Sequence, residues 1–255
     1  MDFTLDIIRK SAVEIARAGG DSTLDYFKKS FDLDFKSDNS PVTNADRNAE
    51  EIMRNEIKRR FPDHGIIGEE FGREGEDSDV VWVLDPIDGT QSFIHGVPFY
   101  TTLIGVLVDG EPKAGVIYAP ALNEMVSASI GDGCFFNDKK ATVRHCTSLD
   151  EATFLTTDME HIDKHNFTQP FEELLSKTRL HRTWGDGYGH LMVAVGRADI
   201  MFDPILNIWD AAALLPVVTE AGGTFMDVHG NTTIETGNAI STNPELKPEI
   251  LSIFS

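Results

Sequence analysis

Two aspartates stand three residues apart in Val80-Val81-Trp82-Val83-Leu84-Asp85-Pro86-Ile87-Asp88-Gly89-Thr90. The apolar run over residues 80–84, with three valines, predicts a strand buried on both faces. Pro86 lacks an N–H and disfavours helical backbone at Asp85, so the strand is expected to stop there and a turn to begin. Gly89-Thr90 permits a tight backbone and a helix start running into Gln91-Ser92-Phe93. Two carboxylates flanking a fixed turn suit a hard cation, and free N–H groups just beyond suit a phosphate. The same residues also suit a plain turn whose aspartates cap backbone N–H groups.

Three other places offer acids at element ends. Thr43 or Asn44 is a fitting cap for a helix over residues 45–60, with Asp46 in its first turn, where the helix dipole favours a carboxylate. A short strand, Ile66-Ile67-Gly68, leads into Glu69-Glu70. A helix over residues 209–221 closes at Gly222-Gly223 and carries Asp210 at its start, a common N-cap position. Pro216 inside that helix predicts a kink.

Asp85-Pro86-Ile87-Asp88-Gly89-Thr90 after an apolar strand resembles the signature of the inositol-monophosphatase-like family of magnesium-dependent, lithium-sensitive phosphatases. Thr43 to Asp46, Gly68-Glu69-Glu70, and Trp209-Asp210 closed by Glu220-Ala221-Gly222-Gly223 extend the resemblance over nearly the whole chain. It implies an α/β chain, α+β in its N-terminal half and α/β in its C-terminal half, folded as a layered αβαβα sandwich like inositol monophosphatase and fructose-1,6-bisphosphatase. It implies two or three Mg²⁺, with Mn²⁺ as a substitute. Glu69, Asp85 and the Ile87 carbonyl would hold the first metal. Asp85, Asp88 and Asp210 would hold the second, and Glu69 would support a third. Backbone N–H groups of Gly89 and Thr90 would hold the phosphate. Thr90, paired with Asp46, would orient the attacking water for in-line displacement without a phosphoenzyme. Glu70 is the weaker ligand candidate of its pair. Relatives are commonly dimers, so a homodimer is expected.

The stretch Thr183-Trp184-Gly185-Asp186-Gly187-Tyr188 bears on the substrate. Inositol-specific members usually carry a Gly-Ser/Thr-Ala-Ala string here. This string instead resembles the inositol-monophosphatase-type histidinol-phosphate phosphatases of histidine biosynthesis. Asp203 lies seven residues before Asp210, where the family commonly places a substrate-contacting Glu. Two acids near the leaving group suit L-histidinol, which carries an ammonium group and an imidazole. The plainer alternative has Asp186 capping the following helix and Asp203 opening a Pro turn. An inositol-1-monophosphatase-like enzyme is the nearest competing activity. A regulatory binding protein that keeps the fold is the competitor of another class, and the complete acid set argues against it.

The chain has 255 residues, 22 Lys and Arg against 42 Asp and Glu, and a net charge of −20. Such a surface repels nucleic acid. No apolar run approaches the ~20 residues that span a bilayer, and the acidic N-terminus lacks a signal-peptide pattern. A cytoplasmic protein acting on a small phosphate ester is expected, with neither nucleic-acid nor membrane partners. Cys134 and Cys146 have no ligand spacing and read as structural thiols.

The positioning elements divide the chain into an N-terminal α+β subdomain, residues 1–148, and a C-terminal α/β subdomain, residues 149–255. Residues 3–30 show helical spacing from Phe3 onward and read as one long helix or two short ones, with Gly19-Gly20 as the weak point. Residues 31–35 read as a strand, and the polar residues 72–79 as a mobile loop beside the central strand. Residues 101–108, 113–118 and 123–129 read as successive antiparallel strands. From about residue 150, strands and helices alternate. His95 lies near the motif, and the other histidines are expected at the surface.

Overall fold

The computed structural model describes residues 4–36 and 39–255; Phe3 lies outside them. The chain opens with α1 (Leu5–Thr23), followed by the antiparallel pair β1 (Leu33–Phe35) and β2 (Pro41–Thr43). α2 (Asn44–Arg60) leads to β3 (Gly65–Gly68), β4 (Gly72–Glu74), β5 (Val80–Asp88) and a short α3 (Thr90–Ile94). A meander follows: β6 (Thr101–Val108), β7 (Glu111–Ala119), β8 (Glu124–Ser129), β9 (Gly133–Phe136) and β10 (Lys139–Ala141). Strands β3 to β10 form one eight-stranded sheet, ordered β10-β9-β8-β7-β6-β5-β3-β4.

The second half contains β11 (Thr153–Thr156), α4 (Met159–Lys164), α5 (Thr168–Lys177), β12 (Leu180–Arg182), α6 (Asp186–Ala194) and β13 (Ile200–Asp203). It ends with α7 (Ile208–Glu220), β14 (Thr224–Met226), β15 (Ala239–Thr242) and α8 (Lys247–Ile253). Its five strands are ordered β12-β11-β13-β15-β14.

Alternation along the strands builds five layers. Ile8, Ile15 and Met53 of α1 and α2 bury one face of the large sheet with Trp82, Ile104 and Tyr118. Leu103, Ile117 and Val126 on its other face meet Leu191 and Val217 of α6 and α7. Leu155, Met201 and Phe225 of the small sheet close on the same helices. Their neighbours Phe154, Phe202 and Met226 point the opposite way, onto Phe171 and Ile250 of α5 and α8. The result is the expected αβαβα sandwich, with side chains of successive strand residues entering different cores.

Two glycines let α7 sit directly on the large sheet. A Cβ on Gly105 would lie 2.5 Å from the Ala212 Cβ, and one on Gly115 would lie 2.2 Å from the Ala213 carbonyl oxygen. That close approach carries the N-terminal end of α7 toward the C-terminal end of β5.

Several expectations change. Gly19-Gly20 does not interrupt α1, because both residues are buried against Met53 and Tyr118, where a side chain would collide. Residues 72–79 are not all loop: Gly72–Glu74 pairs antiparallel with β3. β5 does not stop at Pro86. It runs to Asp88 through a bulge, with Asp85 opposite Leu103 and Asp88 opposite Thr101. The bulge sets one extra residue against β6, so the missing N–H of Pro86 costs no ladder bond, and it re-aims the side chains beyond it. Pro216 does lie inside α7, as the sequence predicts. The hairpin β9–β10, α4, β15 and α8 were not anticipated.

Candidate active site

The ends of β5 and β13 and the first turns of α3, α6 and α7 border one cleft of about 860 Å³. Glu69, Asp85, Ile87, Asp88, Gly89, Thr90, Asp186, Asp203 and Asp210 all line it. Residues separated by more than 140 positions in sequence therefore share one wall.

Asp85, Asp88 and Asp210 form its floor, with one carboxylate oxygen from each lying within 4.8 Å of the others. Asp85 is buried, and its Oδ1 accepts the Ile87 amide at 3.0 Å. Asp88 Oδ2 accepts the Thr101 hydroxyl at 2.8 Å and the Gly187 amide at 2.5 Å. Asp210 is not the N-cap of α7. Asn207 is, and Asp210 is the third helical residue of a capping box, accepting the Asn207 amide at 2.6 Å.

Burial and mutual repulsion act together on these groups. Asp85 is held well above the carboxylate range by burial, then by Glu69, Asp88 and Asp210. Burial and the nearby Asp88 push Asp210 up to about 8. Burial pushes Asp88 up to about 6, against the donors Thr101 and Gly187. Clustered oxygen donors that repel one another fit a hard divalent cation, which removes the repulsion on binding.

Glu69 lies beside that trio, close enough to raise Asp85. Its Oε1 accepts from Lys36 Nζ at 2.7 Å, and the same ammonium reaches Glu70 Oε1 at 2.6 Å. Burial and the neighbouring Glu70 still raise Glu69, while Lys36 opposes them. The Glu69–Glu70 turn is gripped from below by Glu50, which is fully buried on α2 and accepts the amides of Glu70 (2.7 Å) and Phe71 (3.2 Å). Arg54 Nε compensates Glu50 at 2.7 Å. The Glu50–Arg54 spacing of four was readable as a helical ion pair. Nothing in the sequence marked Lys36.

Asp46 and Thr90 do not meet through a hydrogen bond among the described residues. Asp46 closes a capping box, its Oδ2 accepting the amide (2.8 Å) and hydroxyl (2.6 Å) of Thr43. Burial pushes it up to about 7. The Thr90 hydroxyl donates to the Ile87 carbonyl at 3.0 Å. Gly89, at φ 81, turns the chain between β5 and α3, a conformation that suits glycine. The Asp186 carboxylate lies 2.8 Å from where a Gly89 Cβ would stand.

Asp186 is not a helix cap. Gly185 occupies that position, and Asp186 follows at φ 53, its amide donating to Thr157 Oγ1 at 2.9 Å. Asp203 ends β13 rather than opening a turn; its Oδ1 accepts from Thr157 and its Oδ2 from His190 at 3.1 Å. Burial and the surrounding Asp88, Asp203 and Asp210 hold Asp186 well above the carboxylate range. His190 is buried, contrary to the expectation of surface histidines. His95 is outside the cleft lining, its Nδ1 2.8 Å from the Gln91 carbonyl. His161 and Lys164 of the unanticipated α4 do line the cleft.

A five-layered α/β sandwich with this acid cluster at the end of its central strand is the architecture of a phosphatase class. The chain belongs to the inositol monophosphatase family, whose model matches residues 4–255. It is 42% identical over 230 residues to the histidinol-phosphatase of Chlorobaculum parvum, covering 90% of this chain and 89% of that one. Among solved structures, the Bartonella henselae extragenic suppressor protein suhB superposes with a TM-score of 0.92 at 29% identity, covering 97% and 98% of the two chains. The Thermotoga maritima inositol monophosphatase superposes with a TM-score of 0.88 at 31% identity, covering 96% and 95%. The chain is thus a phosphatase of a family that acts on small phosphate esters. No helix among the described residues is long and apolar enough to cross a membrane.

Proposed function

We propose that this phosphatase hydrolyses L-histidinol phosphate to L-histidinol and phosphate with Mg²⁺, as a cytoplasmic homodimer serving histidine biosynthesis. The observation that carries the substrate reading is the pair of acids on the wall beside Gly89. Asp186 and Asp203 are joined through the Thr157 hydroxyl and share the cleft with the floor carboxylates. With cations on Asp88 and Asp210 offsetting the repulsion that raises Asp186, an ammonium or imidazolium group would find counter-charges there, whereas a neutral polyol would gain hydrogen bonds alone. The 42% identity to a protein named histidinol-phosphatase agrees with this reading.

Asp85, Asp88 and Asp210, joined by Glu69 and the Ile87 carbonyl, would hold two or three Mg²⁺, for which Mn²⁺ can substitute. Bound Mg²⁺ would neutralise phosphate charge, activate water and stabilise the leaving alkoxide. The chain's own residues do the positioning. Gly89 and Thr90 offer amides to the phosphate, and the Thr90 hydroxyl and Asp46 orient the attacking water. For that step the Thr90 hydroxyl must turn from the Ile87 carbonyl toward Asp46. Asp186 and Asp203 pair with the cationic leaving group.

The test is kcat/KM for histidinol phosphate and for inositol-1-phosphate, side by side with Mg²⁺. Faster turnover of inositol-1-phosphate would replace this reading with the inositol monophosphatase one, which the Thermotoga likeness favours. Absence of turnover on any phosphate ester would support the other reading, a regulatory binder that keeps the fold.

A further inference from the structure

The cleft's acids lead inward to a side chain that no step above uses. His190 of α6 is fully buried, with Nδ1 2.6 Å from Ser241 Oγ and Nε2 3.1 Å from Asp203 Oδ2. Serine, histidine and aspartate in a row are the residue types of a nucleophilic hydrolase triad. Here the order is inverted with respect to the cleft. Ser241 lies on β15 with no exposure, so its hydroxyl meets no substrate, and the member that reaches the cleft is the carboxylate.

The hydrogen-bond logic fixes the ring. A carboxylate oxygen accepts, so Nε2–H donates to Asp203, and Nδ1 shares a hydrogen bond with the Ser241 hydroxyl. Phe225 packs 6.1 Å from the imidazole, between centroids. Asp203 thereby has one oxygen tied to His190 and the other to Thr157, whose Oγ1 also accepts the Asp186 amide. One continuous chain runs from the buried end of β15 to both acids of the cleft wall. Asp203 also faces repulsion from Asp88 and Asp186, so a carboxylate freed from His190 would have reason to turn away.

We propose that His190 is a positioning residue that sets selectivity for a cationic leaving group, by locking the Asp203 carboxylate toward the cleft from a buried serine. The inference rests on the reading that Asp203 contacts the substrate.

Two amide variants separate the ring's two bonds. Asn places its amide near the position of Nδ1, and Gln places its amide near that of Nε2. His190→Asn keeps the Ser241 contact and releases Asp203. His190→Gln keeps the donor to Asp203. A hydrogen bond to a charged group supports about a tenfold effect. His190→Asn is therefore expected to lower kcat/KM on histidinol phosphate relative to glycerol 2-phosphate about tenfold, through KM, while His190→Gln keeps that ratio within about threefold of the parent. Each variant deletes one buried bond, so thermal unfolding should show similar losses in both. Should His190→Asn fail to fold, Ser241→Ala is the substitute, expected to shift the ratio in the same direction about threefold. An equal loss on both esters, an unchanged ratio, or a Gln variant as selectively impaired as the Asn variant overturns the proposal. Asp203→Asn distinguishes the two levels. If it shifts the ratio and the His190 variants do not, only the role of His190 falls. If it shifts nothing, the substrate contact falls and the proposal with it.

Discussion

The Gly187 amide donates to Asp88 Oδ2 across 2.5 Å, fastening the first turn of α6 to a carboxylate at the end of β5. The preceding residue, Asp186, is thereby held over Gly89 with positive φ. Asparagine tolerates that conformation as aspartate does, so Asp186→Asn changes charge while sparing the backbone. A charge-assisted hydrogen bond contributes about 1.5–3 kcal/mol, so kcat/KM for histidinol phosphate should fall about ten- to a hundredfold. Inositol-1-phosphate, which has no cation, should lose little. Equal losses on the two esters would mean that Asp186 supports the fold or the metals instead.

Asp85→Asn should abolish turnover and leave a folded protein. Asp85 is the buried member of the acid trio, and its Oδ1 contact with the Ile87 amide survives in asparagine. Removing a carboxylate that its neighbours repel should leave the metal-free Tm unchanged or higher, and the rise in Tm on adding Mg²⁺ should shrink. Circular dichroism and thermal melts with and without Mg²⁺ check both points. An active Asp85→Asn enzyme would sink the metal assignment.

The raised acids link stability to pH. Asp88, Asp46 and Asp210 are pushed up to about 6, 7 and 8, against about 3.9 in the unfolded chain. Between those limits the folded state binds more protons than the unfolded one. Their contribution is complete below about pH 4 and is lost as pH rises through about 6 to 8. The metal-free Tm should therefore be lower near pH 8 than near pH 5.5, as far as these groups control it. Mg²⁺ at about a hundred times its Kd adds about 2.7 kcal/mol, or roughly 5–10 °C in Tm. At one fixed Mg²⁺ concentration that increment should be larger near pH 8 than near pH 5.5, because the ligands lose fewer protons on binding there. Equal increments at both pH values would show that the cation binds elsewhere.

Lithium offers a separate check on the second metal position. If Asp85, Asp88 and Asp210 hold a Mg²⁺ that leaves and rebinds during turnover, Li⁺ should compete there and lower the rate at saturating substrate. The measurement is initial rate against Li⁺ at fixed Mg²⁺. A rate unaffected throughout the millimolar range would argue against a family-like second position.

The sequence by itself determined the local pieces. The apolar run from Val80 fixed a buried strand, Thr43 with Asp46 fixed a helix start, and the alternation in residues 101–129 fixed a meander, because propensity and period act over a few neighbouring residues. Its acids Asp85, Asp88 and Asp210 were legible because their strings are distinctive. Tertiary structure decided what those strings could not. The bulge at Pro86 depends on pairing with β6, and the intact α1 across Gly19-Gly20 depends on Met53 and Tyr118 lying against it. Lys36 on Glu69, Glu50 beneath Glu70, and His190 behind Asp203 join residues 13 to 33 positions apart, and Ser241 reaches His190 from 51 positions away. No local pattern encodes such meetings. They arise only when the layers close, since burial then forces each polar group to find whichever partner the opposing element presents.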